Sequence, residues 1–94
     1  MKPREFDKKV IGKIKKVFNV EEKDSRHKVF RIFHKDKMIL RTLHSHSQKE
    51  ISPPILQSIK RQLRLDSMSQ LQGLKNCPLS AQDYKKILQK KSLI

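Results

Sequence analysis

Residues 28–43 read KVFRIFHKDKMILRTL, and the change of period inside this stretch decides the fold. Val29, Arg31 and Phe33 fall on one side of an extended chain and Phe30 and Ile32 on the other, because side chains alternate along a strand. Val, Ile and Phe also suit a pleated, half-buried surface. HKDK (34–37) reads as a tight polar turn and MILRTL (38–43) as the returning strand, so the whole is a hairpin. The turn lacks an Asn-Gly or Asp-Gly centre, which leaves its loop length open. Asn19 to Glu22 is a candidate third strand.

Outside the hairpin the period is helical. Phe6, Val10, Ile14 and Val17 recur at helical spacing over residues 4–18, with Ile11 and Phe18 beside them and lysines around the remaining circumference. Gly12 costs this helix about 1 kcal/mol relative to Ala. After the polar stretch HSHSQKE (44–50), Ser52 is an N-cap candidate and Pro53 suits the first helical position. Ile51 can staple against Leu56. Ile55, Leu56, Ile59 and Leu63 give this second helix one apolar face, ending near Leu65. Two short helices follow. Asp66 or Ser67 caps the first, which carries Met68, Leu71 and Leu74. Ser80 caps the second, which has Asp83 in its first turn and Tyr84, Ile87 and Leu88 on its apolar face. Leu93 and Ile94 are expected to dock back.

The expected fold is α+β: helix, two- to three-stranded antiparallel sheet, helix, then two short C-terminal helices. Ninety-four residues make one domain, with a core unit over 4–65 and a helical extension over 66–94. Helices cover one face of such a sheet and leave the other free. That free face, or its rim, is expected to carry Arg26, Lys28, Arg31 and Arg41, mixed with histidines. Both strand faces are partly apolar, so the pattern leaves open which one looks outward.

Charge narrows the function. There are 23 Lys and Arg against 9 Asp and Glu, a net +14. The excess is spread along the chain, as +8 over residues 1–50 (15 − 7) and +6 over 51–94 (8 − 2). The folded surface itself is therefore basic, and a polyphosphate is its natural partner. An anionic membrane surface is the bland alternative. Cys77 is the single cysteine, so no internal disulfide forms. MKPREFDKK lacks an apolar signal core, and no stretch approaches the ~18 apolar residues of a membrane span. These features predict a cytoplasmic protein.

DSRHKVFRIF (24–33), MILRTLHSHS (38–47) and ISPPILQSIKRQLRL (51–65), placed behind an amphipathic helix, resemble the HicA (YcfA-like) toxin family. The tail LKNCPLSAQDYKKILQKKSLI (74–94) looks like the C-terminus of a divergent, uncharacterised branch. The resemblance implies a fold similar to the double-stranded-RNA-binding domain, mRNA cleavage as the activity, and a HicB-like antitoxin as partner. The family's functional histidine enters the hairpin after a small-residue pair, often Gly-Ser or Gly-Gly. His27 stands at that position here, behind Ser25-Arg26. Ser45-His46 resembles a serine–histidine element at the end of the third strand in the divergent branch. The double-stranded-RNA-binding domain proper is a poorer match. Its second helix opens on a lysine cluster, where this chain has SPPIL (52–56).

Cleavage of RNA without metal needs a base for the 2′-hydroxyl, an acid for the leaving oxygen and cations around the phosphorane. Histidine suits the first two tasks at neutral pH and Arg or Lys the third. His27 is the leading candidate for acid–base work, with His46 a weaker one. Arg26, Lys28, Arg31, Arg41, His44 and His46 are the candidate RNA contacts. His27 could equally be a half-exposed strand histidine that stacks on or hydrogen-bonds to RNA, or does nothing. His44 and His46 share a strand face and could begin a zinc site, but the third and fourth ligands are missing unless His27 or His34 converges. No cofactor is expected. EEK (21–23) matches part of a metal-dependent nuclease core by chance, because a lysine-rich helix stands where an acidic strand is required. A non-catalytic RNA-binding module and a basic domain for an acidic partner remain as rival readings.

Overall fold

The computed structural model describes residues 1–45, 49–76 and 79–94. Helix α1 runs continuously through Pro3–Glu5, a π-helical stretch Phe6–Ile11 and Gly12–Ile14. It stops earlier than the apolar spacing predicts: residues 15–17 form a turn that delivers Phe18 into the core and starts β1 (Asn19–Asp24). Strands β2 (His27–His34) and β3 (Lys37–Ser45) complete an antiparallel sheet of order β1-β2-β3. Helices α2 (Pro53–Gln62), α3 (Met68–Asn76) and α4 (Ala81–Lys90) follow. The fold is α+β, with the helix, sheet, helices order expected from the sequence.

The hairpin loop has two residues, with Lys35 and Asp36 at φ 51° and 66°. Positive φ at both central positions is the type I′ solution, whose twist matches that of the strands. A bulge in β3 follows, where Ile32 pairs with Leu40 and Phe33 with Met38. The extra residue, Ile39, packs against the core.

One apolar cluster joins all the elements. Phe6, Val10, Ile11 and Ile14 of α1 meet Phe30, Ile32 and Leu40 of the sheet, with Leu56, Ile59 and Leu63 beside them. The extension contributes to the same cluster through Leu71, Leu74, Tyr84 and Leu88, and Leu93 and Ile94 pack against it. The Tyr84 hydroxyl donates to the Leu63 carbonyl at 2.8 Å inside the core. Burial pushes the phenol's pKa well above its ordinary value.

The helix ends follow local chemistry. Ser80 Oγ accepts from the Asp83 amide while the Asp83 carboxylate accepts from the Ser80 amide, a reciprocal capping box. Ser67 Oγ accepts from Gln70 N at the start of α3. Ser52 occupies the N-cap position of α2 but makes no side-chain cap bond. Prolines at the first two helical positions leave fewer amides for it to accept from. Arg64 and Ser92 take positive φ just past α2 and α4, and the next residues, Leu65 and Leu93, donate back to Lys60 and Leu88. Both are Schellman closures built without glycine.

Candidate nucleic-acid interface

The register fixes the two faces of the sheet. Residues paired across antiparallel strands share a side, so Phe30, Ile32, Leu40 and Thr42 face the helices while Val29, Arg31, Arg41 and Leu43 face away. The outer face is a mixed surface. Lys23, Val29 and Leu43 form one row across the strands, and Glu21, Arg31 and Arg41 the next. Met38, opposite Phe33, is 49% exposed.

Arg31 and Arg41 are directly opposed. Side chains so placed have Cβ atoms roughly 5 Å apart, and like charges there repel. Glu21 offsets part of this with one contact to Arg31 at 3.2 Å, both groups being exposed. Among the described residues no carboxylate pairs with Arg41. Arg41 also borders a cleft of about 380 Å³ along the β3 edge, where Arg61 and Arg64 reach it from the end of α2. The cationic surface therefore continues round the edge of the sheet.

His27 opens β2, exposed, opposite Ser45 in the register, with exposed Arg26 before it. It shares the outer face with Arg31 but stands about 13 Å away along the strand, four residues at ~3.3 Å each. The structure thus places His27, Arg31 and Arg41 on one face, and Arg26 on the loop beside it. His46 lies outside the described residues, as do Ser47, Gln48, Cys77 and Pro78.

Two expected outer-face residues stand elsewhere. His44 is 3% exposed, packed edge-on against Phe6 with ring centroids 5.6 Å apart, on the helix-covered face. Its Nε2 lies 2.8 Å from Asp7 Oδ1 of α1. Lys28 pairs with His44 in the register and donates to Asp7 Oδ2 at 2.7 Å. That hydrogen bond raises the Lys28 pKa, burial opposing it. Both residues therefore bind α1 to the sheet instead of standing on its outer face. The reason is parity: 28 and 44 share the side of Phe30 and Thr42, and the half-buried carboxylate of Asp7 makes a polar end to that face tolerable. Asp7 was not singled out from the sequence, though its position next to Phe6 and before Val10 and Ile11 marks an acidic residue at the edge of an apolar stripe.

His34 packs edge-on against Phe18 with centroids 5.7 Å apart. Among the described residues no three His, Cys, Asp or Glu side chains are grouped so as to hold a metal ion, nor is any helix long and apolar enough to cross a membrane.

The molecule is thus a small α+β protein with an exposed sheet face that is cationic and part apolar. No protein-family model, curated protein or solved structure matches this chain.

Proposed function

We propose that this protein is a HicA-like RNA-binding protein whose outer sheet face holds the nucleotide chain and presents it to His27. The observation that carries the reading is the opposed Arg31–Arg41 pair. Its mutual repulsion is relieved when a phosphodiester sits between the two guanidinium groups, which bind phosphate in a planar, forked geometry. Val29, Leu43, Phe33 and Met38 supply the apolar area on which bases rest. His27, exposed at the end of the same face and flanked by Arg26, is the acid–base group for a metal-independent cleavage of mRNA, and a HicB-like antitoxin is the partner that would cover it.

A second reading, binding without cleavage, is favoured by one observation. His44 is inside the protein on Asp7, so the described residues give His27 no second imidazole to complete an acid–base pair. A basic docking face for an acidic protein is the third reading. Incubating purified protein with RNA in EDTA separates them. Cleavage lost in His27→Ala establishes the nuclease. Intact RNA that binds with a steep salt dependence establishes the binding module. No binding to RNA at all rejects both.

A further inference from the structure

A second cationic site lies on the helical side. Lys8, Lys9 and Lys13 of α1, Lys16 of the turn that follows it and Lys75 of α3 line a cleft of about 410 Å³. Two of these lysines are structural. Lys13 Nζ donates to the Leu79 carbonyl at 2.9 Å, and Lys75 Nζ meets Glu5 at 3.2 Å. They fix the walls. Lys8, Lys9 and Lys16 are exposed, and among the described residues no carboxylate pairs with them.

Gly12 lines this cleft among the lysines. A glycine inside a helix costs about 1 kcal/mol, so it calls for a reason. Its backbone supplies none, with φ −56°. Packing supplies none either, since a Cβ built there would meet nothing within 4 Å. What Gly12 does is leave the lysine-lined cleft open at this point, which permits close approach of a ligand to the backbone.

Lys8 also lines a second cleft, of about 420 Å³, shared with Arg4, Asp7, Asp24, Lys28 and His44, at the end of the sheet where His27 begins β2. The two clefts meet at Lys8, and the positive charge of the first continues into the second through Lys8 and Arg4, where Asp7 is taken up by Lys28.

From this juxtaposition we infer that the α1–α3 cleft is a phosphate-binding subsite for RNA, taking the sugar–phosphate backbone of a strand that passes the His27 end of the sheet and continues over α1. The inference rests on the RNA reading proposed above, with the ligand chemistry narrowed to phosphodiester groups. The exposed side chains of Lys8, Lys9 and Lys16 neutralise them, and Gly12, with no Cβ, admits them.

The test uses the full chain and a single-stranded oligoribonucleotide of about a dozen nucleotides, followed by amide chemical shifts and by the salt dependence of binding. The expected result is movement at Gly12, Lys13 and Lys75 together with His27, Arg31 and Arg41. The Lys8→Gln/Lys9→Gln/Lys16→Gln variant then loses about 2 from the slope of log K against log salt, at ~0.7 per phosphate contact on a single strand. Gly12→Leu, which fills the cleft at this point, weakens binding while the thermal midpoint stays at or above that of the parent. Shifts confined to the sheet residues, with an unchanged slope in the triple variant, overturn the cleft subsite and leave the sheet-face reading standing. Shifts confined to the cleft do the reverse. No shift anywhere overturns both.

Discussion

His44 Nε2 lies 2.8 Å from Asp7 Oδ1, a polar contact that fastens the first helix to the last strand of the sheet. The same carboxylate holds Lys28 through its other oxygen. One acidic side chain thus satisfies two basic groups that strand parity turns inward. Removing it strands His44, which is almost fully buried. Asp7→Ala is expected to cost about 2–3 kcal/mol, because a buried polar partner is left unpaired. Asp7→Ala and His44→Ala together should cost less than the sum of the two, by at least about 1 kcal/mol, when unfolding is followed in urea. Additive losses would show that the contact contributes nothing.

The Lys28–Asp7 bond also sets an alkaline limit. The Lys28 pKa is raised above its ordinary 10.5. The charged form is therefore favoured in the folded state, and the stabilisation is complete below pH 10.5 and disappears as pH rises through the higher folded value. At the acid end the sign reverses. The Glu5 and Asp83 pKa values are lowered, chiefly by hydrogen bonds from the Lys2 and Ser80 amides, so their contributions hold above the ordinary carboxylate range and fade as pH falls through the depressed values. Urea midpoints measured from pH 9 to 12 should fall more steeply for the parent than for Lys28→Met.

The hairpin turn offers a gain. Lys35 and Asp36 both take positive φ, a conformation that disfavours a Cβ. Replacing the pair by Asn-Gly should stabilise the protein by about 1 kcal/mol, read as a higher thermal midpoint. A loss of stability would mean that the two side chains make compensating contacts at the turn.

Arg31→Ala and Arg41→Ala should separate binding from folding. Removing either arginine relieves the repulsion across the strands, so stability should stay level or rise slightly. RNA affinity should fall, with ~0.7 lost from the salt slope for each. Affinity equal to the parent's in both variants would remove the sheet face from the interface.

Tyr84→Phe should cost about 1–3 kcal/mol, because the Leu63 carbonyl would lose its buried donor. The effect reports whether the C-terminal extension belongs to the cooperative unit. If α4 is part of it, a single unfolding transition shifts as a whole. A separate early transition would show that α4 melts by itself.

Much of the architecture was legible in the chain because apolar period is a local property. The alternation through Val29–Phe33 specified the hairpin, the four-residue spacing of Phe6, Val10 and Ile14 specified α1, and Ser80 with Asp83 specified the start of α4. The basic surface also follows from composition alone. Side of the sheet did not, because both strand faces carry apolar residues, and a one-residue change in parity exchanges them. Only the packing of α1 decided it: Phe6 and Asp7 draw Phe30, Lys28 and His44 inward and leave Arg31, Arg41 and His27 outside. The convergence of α1 lysines with Lys75, more than fifty residues later in the chain, was likewise a product of tertiary contact, because no sequence spacing encodes which helix will lie beside another.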